Sequence, residues 1–208
     1  AWGGNRARPD LVKKFFPNGN IPNLESYATA EAAGDDRALF NGVNRTLDND
    51  DVATFKSGFG VAKFTNFKTD GSAGHDATFP DADFFLMRAA EAYLNFAEAD
   101  ARINGGQTTD EGTAAINAIR KRANASTRED KGYSLSDICD EWSREFYFEG
   151  RRRMDLIRFN RFGGNVNYNW QWKGGTKEGR NFSKDLNIFA IPTNELTSNK
   201  NLIQNPGY

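Results

Sequence analysis

Ile138, Trp142 and Phe146 step by four residues, the spacing that aligns side chains along one face of a helix. Gly150 interrupts the run, and Met154, Leu156, Ile157 and Phe159 resume it. Upstream, Leu86, Ala90, Tyr93/Leu94, Ala97 and Ala101 trace a stripe that follows Pro80, with Asp83 as its N-cap. Asn104-Gly105-Gly106 stops that helix. The capping box Thr108-x-x-Glu111 predicts a second helix running to Ala123, with Ile116, Ile119 and Ala123 facing inward. Ser134-x-x-Asp137 opens the third in the same way. Helix, short turn, helix, with small alanines at the crossing positions, predicts stacked antiparallel helices.

Outside these stripes the pattern is short-ranged. Residues 1–80 are punctuated by glycine and asparagine. Residues 10–16 predict a short helix stopped by Pro17, and 38–40 and 61–67 predict brief strands, with Gly58-Phe59-Gly60 as a turn between strands. Aromatics this frequent are unusual in a disordered linker, so this segment is expected to cover something else. After Phe162 the chain is polar and glycine-rich through 187, then 188–191 predicts a short buried strand ended by Pro192. The expected organisation is a loop-rich segment 1–80, a helical scaffold 81–162 and an irregular segment 163–208. Together they form one mainly α unit of stacked helix pairs, long irregular loops and a few short strands.

Charge and composition exclude several chemistries. Lys+Arg 27 against Asp+Glu 28 gives a net charge of −1, without the basic surplus a nucleic-acid binder needs. One histidine and one cysteine cannot assemble a zinc-type site, and no metal or cofactor is expected. Cys139, beside Ile138 on an apolar stripe, reads as a small core residue. No apolar run reaches the roughly 18 residues of a membrane-spanning helix. Asp48-Asn49-Asp50-Asp51 resembles the start of a calcium loop, but Ala53 and Phe59 stand where an EF-hand needs glycine and glutamate. His75 lies among Gly71, Ser72, Gly74 and Asp76 with no triad motif around any serine, and reads as a solvent-exposed loop histidine.

Between the apolar sets of 138–159 lie Arg144, Glu145, Glu149, Arg151, Arg152, Arg153, Asp155 and Arg158. Arginine's planar fork bonds carboxylates bidentately, so Arg144, Glu145, Glu149, Arg152 and Asp155 are expected to form a structural ionic network around a bend. The competing reading makes Glu145 and Glu149 the carboxyl pair of a glycoside hydrolase. That chemistry needs one carboxyl kept protonated, whereas neighbouring guanidinium groups hold acids ionised.

Surface chemistry concentrates in Trp170-Gln171-Trp172, whose indoles share one side if the chain is extended. An indole face can stack on the C–H face of a pyranose while amides and guanidinium groups bond its hydroxyls. Trp2, Asn5 and Arg6 offer the same vocabulary near the other end. The glycan-contact candidates are therefore Trp2, Asn5, Arg6, Trp170 and Trp172. The alternative places the indoles of 170 and 172 under their loop or against a partner protein.

The segment Glu145-Phe146-x-Phe148-Glu149-Gly150-x-Arg152-x-x-Asp155-Leu156-Ile157-Arg158 resembles a C-terminal signature of the SusD/RagB family. Residues 84–99 and 115–122, then 191–195 with 204–208, agree with the family in the same order. Glu141-Trp142 departs from it, since the family more often has a Glu-Arg pair there. The resemblance implies tetratricopeptide-like helix pairs in a SusD-like fold. It further implies non-catalytic capture of oligosaccharide or polysaccharide at a Bacteroidetes cell surface, and delivery to a SusC-like TonB-dependent transporter. Family members are more than twice as long, so this chain is expected to be a C-terminal portion. The lipid anchor to the outer membrane is expected on an N-terminal part beyond it. Much of the family's sugar-binding surface comes from upstream loops, which makes the Trp2–Arg6 edge its expected rim. The competing class is a tetratricopeptide-like interaction scaffold that binds no sugar.

Overall fold

The computed structural model describes residues 4–164 and 167–208. The chain divides into two compact units, Ala1–Gly150 and Arg151–Tyr208. The architecture is mainly helical.

The first unit opens with a small antiparallel sheet. Strands β1 (Arg6–Ala7), β2 (Phe40–Asn41) and β3 (Phe59–Val61) lie in the order β1-β3-β2, with Ala7 opposite Phe59 and Phe40 opposite Val61. Helix α1 (Pro9–Val12) runs into a 3-10 turn at Lys13–Phe15, and α2 (Ser26–Ala33) ends at Gly34 in the left-handed region. Val12, Phe15, Phe16, Phe40, Phe59 and Tyr147 are buried together, so the loop-rich segment builds an aromatic core against Tyr147 of the scaffold segment.

Two expectations change here. The strand predicted over 61–67 is instead Phe59–Val61, so Phe59 and Gly60 are central-strand residues and not a turn. The reason is Gly58: its φ is +102°, and a Cβ there would lie 1.9 Å from Asn49 Nδ2, so the glycine marks a tight strand entry. Helix α2 has no counterpart in the hydrophobic pattern, because only Thr29 and Ala30 on it are buried.

Helices α3 (Ala89–Ile103), α4 (Asp110–Arg122) and α5 (Leu135–Phe146) form the scaffold, with α3 packed on both of the others. Leu94, Ala97 and Ala101 of α3, Ile116 and Ile119 of α4, and Ile138, Cys139, Trp142 and Phe146 of α5 make the core. Ala123 is inward as its stripe predicts. Ser134 caps α5 reciprocally: its Oγ accepts from Asp137 N at 3.2 Å, and its N–H donates to Asp137 Oδ2 at 2.9 Å.

The other two helix starts differ from prediction. Helix α3 begins at Ala89, not after Asp83, and Leu86 and Tyr93 are exposed. Arg88 is extended at the N-cap because its guanidinium is committed to Glu145 and Glu149. Helix α4 lacks the Thr108–Glu111 box. Asp100 of α3 supplies the acceptors instead, taking Thr109 N at 2.7 Å and Thr109 Oγ1 at 3.0 Å. Thr108 Oγ1 accepts Tyr133 N at 2.8 Å. A Cβ on Gly112 would lie 2.1 Å from Asp100 Oδ2, so this glycine permits the close approach.

The second unit holds α6 (Arg152–Arg158), α7 (Thr193–Ser198) and two 3-10 turns, Lys173–Gly175 and Lys184–Asn187. The predicted strand at 188–191 does not form, and Ile188 and Phe189 are exposed. Tail side chains take the place of a neighbouring strand. Gln204 bonds both Ile191 N (2.8 Å) and Ile191 O (3.0 Å), Asn205 Nδ2 donates to Phe189 O (2.8 Å) and Tyr208 OH donates to Ile188 O (2.8 Å).

Candidate functional site

The carboxylates of α5 face a ring of cations. Arg37 Nη1 donates to Glu141 Oε1 at 2.8 Å and Glu145 Oε2 at 2.9 Å. Arg120 and Arg144 both reach Glu141 Oε2 at 2.7 Å, and Arg122 forks onto Glu145 at 2.7 and 2.8 Å. Arg88 bonds both oxygens of Glu149 at 2.8 Å and also meets Glu145. Lys63 meets Glu149 and donates to Glu145 O (2.9 Å) and Tyr147 O (3.0 Å), satisfying carbonyls at the end of α5. Burial opposes the ionisation of Glu141, but Arg144, Arg37 and Arg120 prevail and hold its pKa at about 2. Burial likewise opposes ionisation of Glu145 and Glu149, and cationic partners again pull both below the usual carboxylate range. A carboxyl held ionised and enclosed in this way cannot serve as a proton donor to a glycosidic oxygen.

Arg144, Glu145 and Glu149 thus belong to one cluster in the first unit. Arg152 and Asp155 have partners in the second: Arg152 Nη2 donates to Tyr168 OH at 2.7 Å, and Asp155 accepts from Arg158 at 2.9 Å. Arg37, Lys63 and Arg88 carried no sequence signal for this role, since the glutamates they meet between 141 and 149 lie 57 to 108 residues away.

The indole pair is not extended. Trp172 sits in the left-handed region at φ +69°, inside a turn closed by Trp172 N–H to Lys177 O (3.2 Å) and Gly175 N–H to Trp172 O (3.1 Å). The two indoles therefore do not share a side by strand alternation. Trp170 stacks on Phe162 with ring centroids 6.0 Å apart, beside Tyr168, and is half-buried. Trp172 is 36% exposed. A bulky residue at positive φ is costly, so the backbone at Trp172 is strained. Around this pair, Arg153 lies between Phe162 (5.0 Å) and Phe189 (3.9 Å), and Arg161 lies over Tyr168 (4.7 Å), a cation–aromatic framework that rigidifies the loop.

At the other candidate edge, Trp2 lies outside the described residues. Asn5 is exposed. Arg6 is committed to the loop 51–57, donating to the carbonyls of Asp51 (3.2 Å), Val52 (3.4 Å), Thr54 and Ser57 (2.8 Å). His75 is exposed and meets Asp81. Among the described residues no cluster of His, Cys, Asp and Glu has the makings of a metal site, and no helix is long and apolar enough to cross a membrane.

The first unit is thus a helix-paired scaffold with a buried ionic knot on its motif-bearing helix, and the second holds aromatic and polar loops. The sequence model of the SusD family matches residues 13–208, and the chain belongs to that family. The starch-binding protein SusD of Bacteroides thetaiotaomicron is 44% identical over 182 residues, which cover 86% of this chain and 32% of that protein. The chain thus spans about a third of the length of this curated relative. Among solved structures, a SusD-like protein from Bacteroides fragilis superposes with a TM-score of 0.63 at 22% identity, over 100% of this chain and 48% of the other. That likeness is one of fold. A putative sugar-binding protein from Bacteroides vulgatus matches with a TM-score of 0.51 at 26% identity, over 72% of this chain and 33% of its own.

Proposed function

We propose that the protein containing this chain captures oligosaccharide at the bacterial outer surface without cleaving it, and passes it to a SusC-like TonB-dependent transporter. The observation that carries this reading is the 44% identity to a starch-binding protein, within a family match that spans nearly the whole chain. The enclosed, ionised Glu145 and Glu149 support capture without hydrolysis. In this reading the helices are scaffold and transporter contact, and a lipid anchor elsewhere in the protein holds it to the outer membrane. The rigid, aromatic loop at 168–180 offers Trp172 as a stacking face, with Trp170 as its support. Trp2 and Asn5 remain rim candidates, and Arg6 serves the rim by fixing its loop.

Calorimetric titration with maltoheptaose tests the reading. Binding is expected, with reducing ends unchanged on prolonged incubation. Trp172→Ala is expected to weaken it about tenfold with little change in melting, because an aromatic contact is worth up to about 1.5 kcal/mol beyond its buried area. Trp170→Ala is expected to lower the melting temperature, since it removes the ring stacked on Phe162. Absence of binding across malto-oligosaccharides would favour the interaction-scaffold reading. The exposed run Phe84-Phe85-Leu86-Met87 is the surface that reading would use.

A further inference from the structure

Lys173 is 1% exposed, yet among the described residues no carboxylate pairs with it. Its ammonium donates to Tyr168 O at 2.6 Å, Asn181 Oδ1 at 2.9 Å and Arg161 O at 3.4 Å. It also lies 4.8 Å from the Trp170 ring centre and 5.6 Å from that of Phe182. Burying an ammonium without a counter-charge is unfavourable, and burial alone pushes this amine below its ordinary pKa. A methionine would fill similar space without that cost. It would, however, leave the Tyr168 and Arg161 carbonyls without this donor, so satisfying them is one role of the lysine.

A second role is specific to an ammonium. It has three donors and no acceptor, so the amide atom facing it has to be oxygen. This fixes the flip of Asn181 and turns Nδ2 away from Lys173. Among the described residues nothing accepts from Nδ2, and Asn181 is exposed. Asn181 lines an open groove of about 450 Å³ with Gly164, Phe182, Ser183 and Lys184. The lining residues thus include one aromatic, Phe182, and two that carry donors, Asn181 and Lys184. A side chain at Gly164 would be strained at φ +105° and would rest against the Lys184 stem, with its Cβ 3.6 Å from the nearest atom there. The Ser183 hydroxyl is committed to Asp185 Oδ2 at 2.8 Å, and that carboxylate disfavours an anionic occupant.

We propose that this groove is a subsite for one hexose ring of a neutral oligosaccharide, with Asn181 as its hydroxyl-recognising donor and Lys173 as the positioning residue that orients the amide. The assignment rests on the glycan-capture reading and adds to it a site separate from the Trp172 face. Ring carbons lie against Phe182, and hydroxyl oxygens accept from Asn181 and Lys184.

Maltoheptaose titration and thermal melting of the full chain carrying N181A, F182A, K173M and K173M/N181A test it. Loss of a hydrogen bond or of the ring is expected to weaken binding about tenfold in each single variant. K173M is expected to weaken binding as N181A does, with no further loss in the double variant. In nitrogen-15 spectra, the Asn181 side-chain amide pair is expected at positions displaced from those of a solvent-exposed amide in the unaltered protein, and to move toward them in K173M. Lowered melting with unaltered affinity in K173M would overturn the positioning role and make the lysine a structural clamp. Unaltered affinity in N181A and F182A, with the parent protein binding, would overturn the groove and leave glycan capture standing. No binding by the parent protein would overturn both.

Discussion

Trp142 has no exposed surface, and its Nε1 donates to Glu98 Oε2 at 3.0 Å while its ring lies 5.2 Å from Phe146. Two interactions of different kind meet in one side chain, and two substitutions separate them. Trp142→Ala removes ring and donor together and is expected to cost about 3–5 kcal/mol, the range for large aromatics in cores. Trp142→Phe keeps most of the apolar volume and loses the bond to Glu98, for about 1–3 kcal/mol. Urea unfolding reads both: the midpoint should fall in that order with an unchanged slope. Equal midpoints for the two variants would mean that the bond to the buried Glu98 outweighs the packing. Position 142 is also where the chain departs from the family's usual Glu-Arg pair, and the buried carboxylate of Glu98 is what receives the indole.

At the scale of elements, the start of α5 closes within its own first turn. Ser134→Ala removes the acceptor for Asp137 N–H and is expected to cost about 1 kcal/mol. Asp137 retains Arg128 at 2.8 and 3.0 Å, so thermal melting should fall by a few degrees without loss of the helical signal. This locality explains what the sequence discloses. The Ser134 box and the stripes at 116/119/123 and 138/142/146 are visible because their logic spans one or two turns. The cap of α4 is not visible, because Asp100 of the preceding helix provides it. The start of α3 is hidden for the same reason: Arg88 is held extended by glutamates beyond residue 140. Residues 188–191 read as a strand, but their backbone partners are side chains of the tail. In the candidate site, the aromatic and polar residue types stand out from sequence. The left-handed turn at Trp172, the commitment of Arg6 to distant carbonyls and the amide lock by Lys173 do not, since each depends on where another segment's oxygens fall.

Over the first unit as a whole, the acids Asp35, Glu141, Glu145 and Glu149 gather Arg37, Lys63, Arg88, Arg120, Arg122 and Arg144, and so tie the loop-rich segment to every scaffold helix. Such a knot makes stability depend on pH in a definite direction. The folded pKa of Glu141, about 2, lies below its ordinary value of 4.5. A depressed carboxylate contributes stability that is fully present above the unfolded pKa and is lost as pH falls through the folded one. For Glu141 alone that contribution is about 3 kcal/mol. Glu145 and Glu149 are shifted the same way and add to it. Protonation also leaves the arginines facing one another with their counter-charges gone, so losses should reinforce each other. Melting followed by circular dichroism at pH 7, 5, 4 and 3 should therefore be flat at the upper end and fall steeply below about pH 4.5. Added salt should change the pH 7 value little, because pairs this buried are poorly screened. A melting temperature that held constant down to pH 3 would mean that desolvation cancels the pairing. The knot would then act by specifying which segments meet, since hydrophobic replacements would hold the same helices together without selecting their partners.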